Sequence, residues 1–267
     1  MNEDKKYFIH SSAVVEEGAV IGDDCFIGPF CVIGSNVSLG RSVKLLSHVS
    51  VVGRTTIGDE TTIWPFSSIG HQPQDLKYQG EQTELVIGSR NKIRESVSIN
   101  PGTSGGGGIT KIGDDCLFML GSHVGHDCAV GNSVIVANNT AIAGHVKVGD
   151  NVNIGGLSGI HQFCRIGEGS MIGALSMITR DVIPFTTVMG ERPKLSGLNL
   201  IGLKRRGASK TTLVELKKFY DKLFVKNKSF RKQAEYIFRN GVENEYESRI
   251  IEFILSDSKR SFLTSKD

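Results

Sequence analysis

The chain has 267 residues, 39% hydrophobic and 22% charged, ordinary figures for a soluble protein long enough for one large domain and a smaller one. No run approaches the roughly 18 apolar residues of a membrane span, and Met1 to His10 lack an apolar targeting core, so a cytoplasmic protein without stable membrane insertion is expected. The net charge of +3 is uneven: residues 1–191 hold 13 Lys and Arg against 19 Asp and Glu, whereas residues 192–267 hold 18 against 9. The basic segment points to an acidic protein or a phosphate-bearing ligand, and no nucleic-acid motif accompanies it.

From Ile9 every sixth residue is aliphatic: Val15, Ile21, Ile27, Ile33, Leu39, Leu45, Val51, Ile57, Ile63 and Ile69. Asp75 and Glu81 break the series, which resumes in phase at Ile87, Ile93 and Ile99. It restarts one residue out of phase at Ile112 and runs to Ile178, with Phe118 the one aromatic member. A period of six fits neither a helix nor a plain strand. It fits a solenoid of short strands with a turn every six residues, three repeats closing one triangular coil. Glycine often follows the aliphatic residue (Gly22, Gly28, Gly34, Gly113, Gly131, Gly173), where a tight turn is expected.

Two residues before each aliphatic lies a second inward position. It holds small residues, among them Ala13, Val43 and Ser158, and all five cysteines: Cys25, Cys31, Cys116, Cys128 and Cys164. An odd count without a CxxC pair predicts small core residues rather than a disulfide framework or structural zinc.

Two interruptions, near 71–86 and 100–111, predict loops inserted into a β-helix spanning 1–191, the second with a flexible flap at Gly105–Gly108. A helical domain is expected over 192–267. Leu213, Leu216, Tyr220, Leu223 and Phe224 share a helical face, Asn240–Gly241 reads as a helix stop, and Tyr246–Leu255 reads as a further amphipathic helix.

Four histidines fall within 39 residues: His123, His126, His145 and His161. His126 and Asp127 follow Val124 by two and three residues, which puts them at an outward corner. Gly144 and Gln162 recur at intervals of 18 residues, so His126, His145 beside Gly144, and His161 beside Gln162 should form one strip. Two chemistries fit this strip. An imidazole oriented by a carboxylate is a general base near pH 7. Alternatively, three histidines could hold a zinc ion with an open position, as in a hydratase of the γ-carbonic-anhydrase type.

Several longer runs add to the repeat: Gln74-Asp75-Leu76-Lys77-Tyr78, Arg94-Glu95-Ser96-Val97, Ala143-Gly144-His145-Val146, His161-Gln162-Phe163-Cys164 and Gly202-Leu203-Lys204-Arg205-Arg206-Gly207. With the hexapeptides, they resemble the UDP-N-acetylglucosamine O-acyltransferase family over nearly the whole chain. The resemblance implies a mainly β protein, a left-handed parallel β-helix followed by a small α-helical domain, acting as a homotrimer. It implies transfer of a 3-hydroxyacyl chain from acidic acyl carrier protein, through its phosphopantetheine arm, to the 3-position of a UDP-sugar or a 3-amino analogue. This would be the first step of lipid A biosynthesis, with no bound cofactor and no metal.

By the same resemblance His126 is the general base, Asp127 orients it and the Gly144 backbone N–H is the oxyanion donor. Asp75, Lys77, His123, His145, His161 and Gln162 contact the sugar nucleotide, Asn199, Arg205 and Arg206 hold its uridine and phosphates, and Ala174 limits acyl length. The family often has histidine where Asn100 stands and glutamate where Ile201 stands.

Overall fold

The computed structural model describes residues 7–225 and 229–264. Among the described residues, twenty-eight short strands form three sheets of eleven, nine and eight strands, parallel except for the last strand of the first, which make the faces of a three-sided β-helix. The first face starts with Phe8–Ile9, the second with Val14–Val15 and the third with Val20–Ile21. Register is one coil per 18 residues: Phe8 pairs with Phe26 and Ile9 with Ile27. The aliphatic positions from Ile27 onward are buried, and the five cysteines are free and buried beside them. Each such aliphatic side chain contributes about 1.5–3 kcal/mol on leaving water.

The corners differ from expectation in one respect. The left-handed residue stands three positions after the inward aliphatic, as at Asp24, Phe30, Ser42, Asp127 and His145, and not at Gly22, Gly28, Gly34, Gly113, Gly131 or Gly173. No Val, Ile or Thr occupies these left-handed sites, because a branched Cβ clashes there. The directly following glycines serve close stacking instead. A Cβ on Gly28 would lie 1.4 Å from the Leu46 carbonyl oxygen of the next coil.

Both insertions leave the prism after second-face strands, Ser68–Ile69 and Ser98–Ile99, and return on third-face strands, Glu84–Ile87 and Ile109–Ile112. They therefore emerge along the same edge. Glu81 of the first loop accepts hydrogen bonds from the Ser104 N–H and hydroxyl of the second, both at 3.1 Å. The glycine run is tied down rather than loose: the N–H groups of Gly106 and Gly108 donate to the Thr103 carbonyl.

Helical structure begins at Leu200, later than Arg192, because an antiparallel hairpin, Thr186–Met189 with Lys194–Leu198, prolongs the first face. Four helices follow: α1 (Leu200–Arg205), α2 (Lys210–Leu223), α3 (Phe230–Asn240) and α4 (Glu245–Leu255). Asn199, Ser209 and Asn244 cap α1, α2 and α4 with side-chain oxygens, and Gly241 at φ 98° ends α3. The stripe Leu216, Phe219, Leu223 packs with Ile250, Ile251 and Ile254 in a core continuous with the prism.

The chain then turns back. Asp181, fully buried, accepts from Arg165 Nε at 2.7 Å and from the Ser258 hydroxyl at 2.6 Å. Its backbone pairs with Ser261 and Leu263. This fastens residues 256–263 across the last coils as a strap.

Candidate active site

In an extended strand, adjacent side chains point to opposite faces. The left-handed bend at Asp127 (φ 58°) turns its side chain toward that of His126. The Nδ1 of His126 and Oδ2 of Asp127 are 2.7 Å apart. A carboxylate only accepts, so Nδ1 carries the proton and Nε2 offers a lone pair. The Asp127 side chain is wholly buried: Oδ1 accepts from the Thr103 N–H at 2.8 Å and Oδ2 from the Thr103 hydroxyl at 2.6 Å. The Asp127 N–H donates to the Thr110 hydroxyl at 2.8 Å. The carboxylate thus cannot turn away from the imidazole without breaking buried bonds.

One coil later, Gly144 lies against the ring. A Cβ there would stand 2.6 Å from His126 Nε2, so only glycine fits. Among the described residues the Gly144 N–H donates to no protein acceptor, whereas the equivalent N–H of Arg41 or Asn132 is capped by an aspartate of the next coil. A free lone pair and a backbone N–H without a protein acceptor therefore stand on adjoining residues of neighbouring coils, groups of the kind that move a proton and stabilise an oxyanion.

The expected strip is present. His145 stands edge-on to His126, with ring centroids 4.9 Å apart, and stacks flat on Phe163 at 4.4 Å. Burial holds the His145 pKa below its ordinary value, opposed by the nearby Asp127 charge. His123 faces outward on the second face, accepts or donates at Nδ1 to the Ser98 hydroxyl at 2.8 Å, and is depressed by burial and by His126. Asp75, Lys77, Thr103, Gly106, Asp127 and His145 line one cleft of about 680 Å³.

His161 and Gln162 directly precede Phe163 of the cleft wall and are held from the strap: Arg260 donates to His161 Nδ1 at 2.7 Å and to the Gln162 carbonyl at 3.0 Å. A guanidinium only donates, so this nitrogen of His161 is occupied as an acceptor. His126, Asp127 and His145 do bring ligand atoms within 4.8 Å of one another. However, Asp127 is already bonded to Thr103 and His126, and among the described residues of one chain no three histidines come together.

Four expected residues lie elsewhere in the chain. Asn199 caps α1, accepting from the Gly202 N–H at 3.0 Å and donating to the Gly169 carbonyl at 3.0 Å. Arg206 lies beside Gly169 and Glu168 at the edge between third and first faces, and Arg205 is exposed at the end of α1. Ala174 is exposed at the edge between first and second faces, since it follows the first-face strand Met171–Ile172. None of the four shares an edge with His126.

Sequence reasoning missed Thr103, Thr110, Phe163, Lys259 and Arg260. Phe163 carried a signal, being 36 residues after Asp127 and so two coils above it. Thr103 carried none, because it acts through a loop outside the repeat.

The chain is similar to known proteins over most of its length. Residues 181–263 match the family profile described as "Udp N-acetylglucosamine O-acyltransferase; Domain 2", and residues 5–35 and 145–180 match the bacterial transferase hexapeptide profile. The acyl-[acyl-carrier-protein]–UDP-N-acetylglucosamine O-acyltransferase of Paracoccus denitrificans is 57% identical over 202 residues, 75% of this chain and 76% of the relative. A solved UDP-N-acetylglucosamine acyltransferase superposes with TM-score 0.94 at 42% identity, covering 97% of this chain and 99% of the other. The Moraxella catarrhalis structure superposes at 0.92 with 40% identity, covering 96% and 99%.

Proposed function

The chain belongs to the UDP-N-acetylglucosamine O-acyltransferase family, and from that premise we propose how its own residues carry out acyl transfer. The enzyme transfers an acyl chain from acyl carrier protein to UDP-N-acetylglucosamine, the opening step of lipid A biosynthesis. His126 Nε2 removes the proton from the group at the sugar 3-position as that group bonds to the thioester carbon. The carbonyl electrons move onto oxygen, where the Gly144 N–H stabilises them. Collapse breaks the C–S bond, and the proton on His126 passes to the departing sulfur. The observation that carries this reading is the His126–Asp127 contact of 2.7 Å with Nε2 set against Gly144.

Asp75, Lys77, His123, His145, His161 and Gln162 form the sugar-nucleotide side of the cleft in this reading, Asn199, Arg205 and Arg206 hold uridine and phosphates, and Ala174 ends the acyl groove. Because the last four lie on other edges than His126, they serve its substrates only if neighbouring copies bring them there. That separation supports a homotrimer with its clefts between prisms. Exposed Leu157, Leu175 and Met177 around Ala174 give the apolar surface for such contact. The positive C-terminal region would steer the acidic acyl carrier protein. No described helix is long and apolar enough to cross a membrane. A cytoplasmic setting accords with five free cysteines.

The acceptor is the open detail of chemistry. Asn100 is buried one coil below Gly125. Its Nδ2 donates to the carbonyls of His71 and Gln72, leaving Oδ1 buried with no partner. An unpaired buried acceptor favours a ligand that donates, which either a 3-hydroxyl or a 3-amino group does. The deciding experiment crosses acyl carrier proteins bearing 3-hydroxyacyl chains of several lengths with 3-hydroxy and 3-amino sugar nucleotides, using wild type and His126→Ala. Transfer by wild type in no combination, or equal transfer by the variant, would overturn the proposal.

A further inference from the structure

The strap that turns back from α4 carries two cations to the cleft, and the family reading gives a role to neither. Arg260 is committed to His161 and the Gln162 carbonyl. Lys259 is not committed. Its Nζ lies 4.5 Å from the centre of the Phe163 ring, which itself stacks on His145. The side chain lines the same cleft as Asp127 and His145, together with Lys77 and Lys147. Among the described residues no carboxylate stands within ion-pair distance of any of these three lysines.

Lys259 does not hang from a loose tail. Ser258 on one side is bonded to buried Asp181, Arg260 on the other to His161, and Ser261 and Leu263 pair with the Asp181 backbone. The ammonium is therefore delivered to a fixed place, resting on an aromatic face that favours a cation without neutralising it. Asp75, Asp127 and Asp257 also line the cleft, but Asp127 is buried and bonded to Thr103 and His126, and neither of the others is ion-paired to these lysines, so the three ammonium groups stay available to an anion.

We propose that Lys259 binds a phosphate group of one of the two substrates at the mouth of the cleft. Resting on the acyl-transfer reading above, the phosphate is either the diphosphate of the sugar nucleotide or the phosphodiester in the arm of the acyl carrier protein. The chemistry is the same: a flexible ammonium donating charge-assisted hydrogen bonds to phosphate oxygens. Lys259 makes no contact with His126, so it acts on binding and not on proton transfer.

The test uses the full chain and Lys259→Met, which keeps the apolar stem over Phe163, with Lys259→Arg as the conservative variant. KM is measured separately for sugar nucleotide, acyl carrier protein and the detached acyl-phosphopantetheine. Loss of one such charge-assisted contact should raise KM about tenfold for one substrate, with kcat within about twofold and largely restored in Lys259→Arg. An effect on the sugar nucleotide alone identifies the diphosphate. An effect on both acyl carrier protein and its detached arm identifies the phosphodiester. An effect on acyl carrier protein that vanishes with the detached arm means contact with its protein surface, and overturns the proposal, as does an unchanged KM for all three.

Equilibrium titration with the sugar nucleotide and with acyl carrier protein separates this inference from the acyl-transfer reading. Should wild type bind but transfer nothing, the acyl-transfer reading falls. Lys259 is then judged by whether the Met variant binds one ligand about tenfold more weakly. Equal binding by wild type and variant, or none by wild type, removes the inference.

Discussion

Gly144 and His126 touch across one coil so closely that a single added carbon would stand 2.6 Å from the imidazole Nε2. Gly144→Ala must therefore push the ring or the backbone aside, and either movement separates the base from the N–H it faces. General-base catalysis is worth about 10²–10⁴ in rate. Gly144→Ala and His126→Ala should each fall by about that factor in single-turnover rate. The His126→Ala prism should remain intact by circular dichroism, since His126 belongs to a corner and not to the interior.

Thr103→Val removes one hydroxyl and no chemistry. It takes from Asp127 the 2.6 Å hydrogen bond at Oδ2 while leaving the Thr103 N–H on Oδ1. The carboxylate gains freedom and the imidazole loses orientation. A fall of about tenfold in kcat is expected, matching one lost charge-assisted hydrogen bond, with KM for both substrates little changed. A rate equal to wild type would mean that Oδ1 alone fixes the aspartate.

The expectation for this loop differed from what formed, and the reason is physical. Hexapeptide phase reveals what points inward, so the prism, the buried cysteines and the strip from His126 to Gln162 were legible in the chain. Thr103, Lys259 and Arg260 reach the site through segments without period, and spacing says nothing about where such segments fold back. The glycine run suggested looseness. Gly106 is small for another reason, since a Cβ there would lie 2.0 Å from the Asp127 carboxyl carbon. The basic C-terminus announced an anionic partner, but not which cations stand in the cleft.

Asn199 and Arg205, grouped as one nucleotide-holding set, differ in what they do for the fold: Asn199 also caps α1, whereas Arg205 is exposed at its end. Asn199→Ala deletes a helix cap and should lower stability by about 1 kcal/mol in urea unfolding, while Asn199→Asp should retain most of it. Arg205→Ala should leave stability within error and raise KM for the sugar nucleotide. The opposite pattern would reverse the assignments.

Stability should fall as the medium becomes acidic, beginning near pH 6.5. Burial holds the pKa of His71, of His123 (helped by His126) and of His145 below the ordinary histidine value of about 6.5. Below that pH the unfolded chain takes up protons that the folded chain refuses, so protonation favours unfolding. The decline continues until the folded histidines titrate in turn. His123→Gln should flatten the curve of melting temperature against pH between 6.5 and 5.5, and an unaltered curve would show that its imidazole does not contribute.

The two insertions share an edge with His126 and Asp127, and neither disturbs the faces it joins. Ile69 to Ile87 spans 18 residues and Ile99 to Ile112 spans 13, where six suffice elsewhere, yet the strands on both sides keep their register. The protein is in this sense a rigid last with exchangeable uppers. Loops of other lengths can be exchanged at these two exits, provided that a donor pair still meets Asp127. A transplanted pair from a relative with a different acceptor would carry its preference along, while the prism and the proton-moving pair stay as they are.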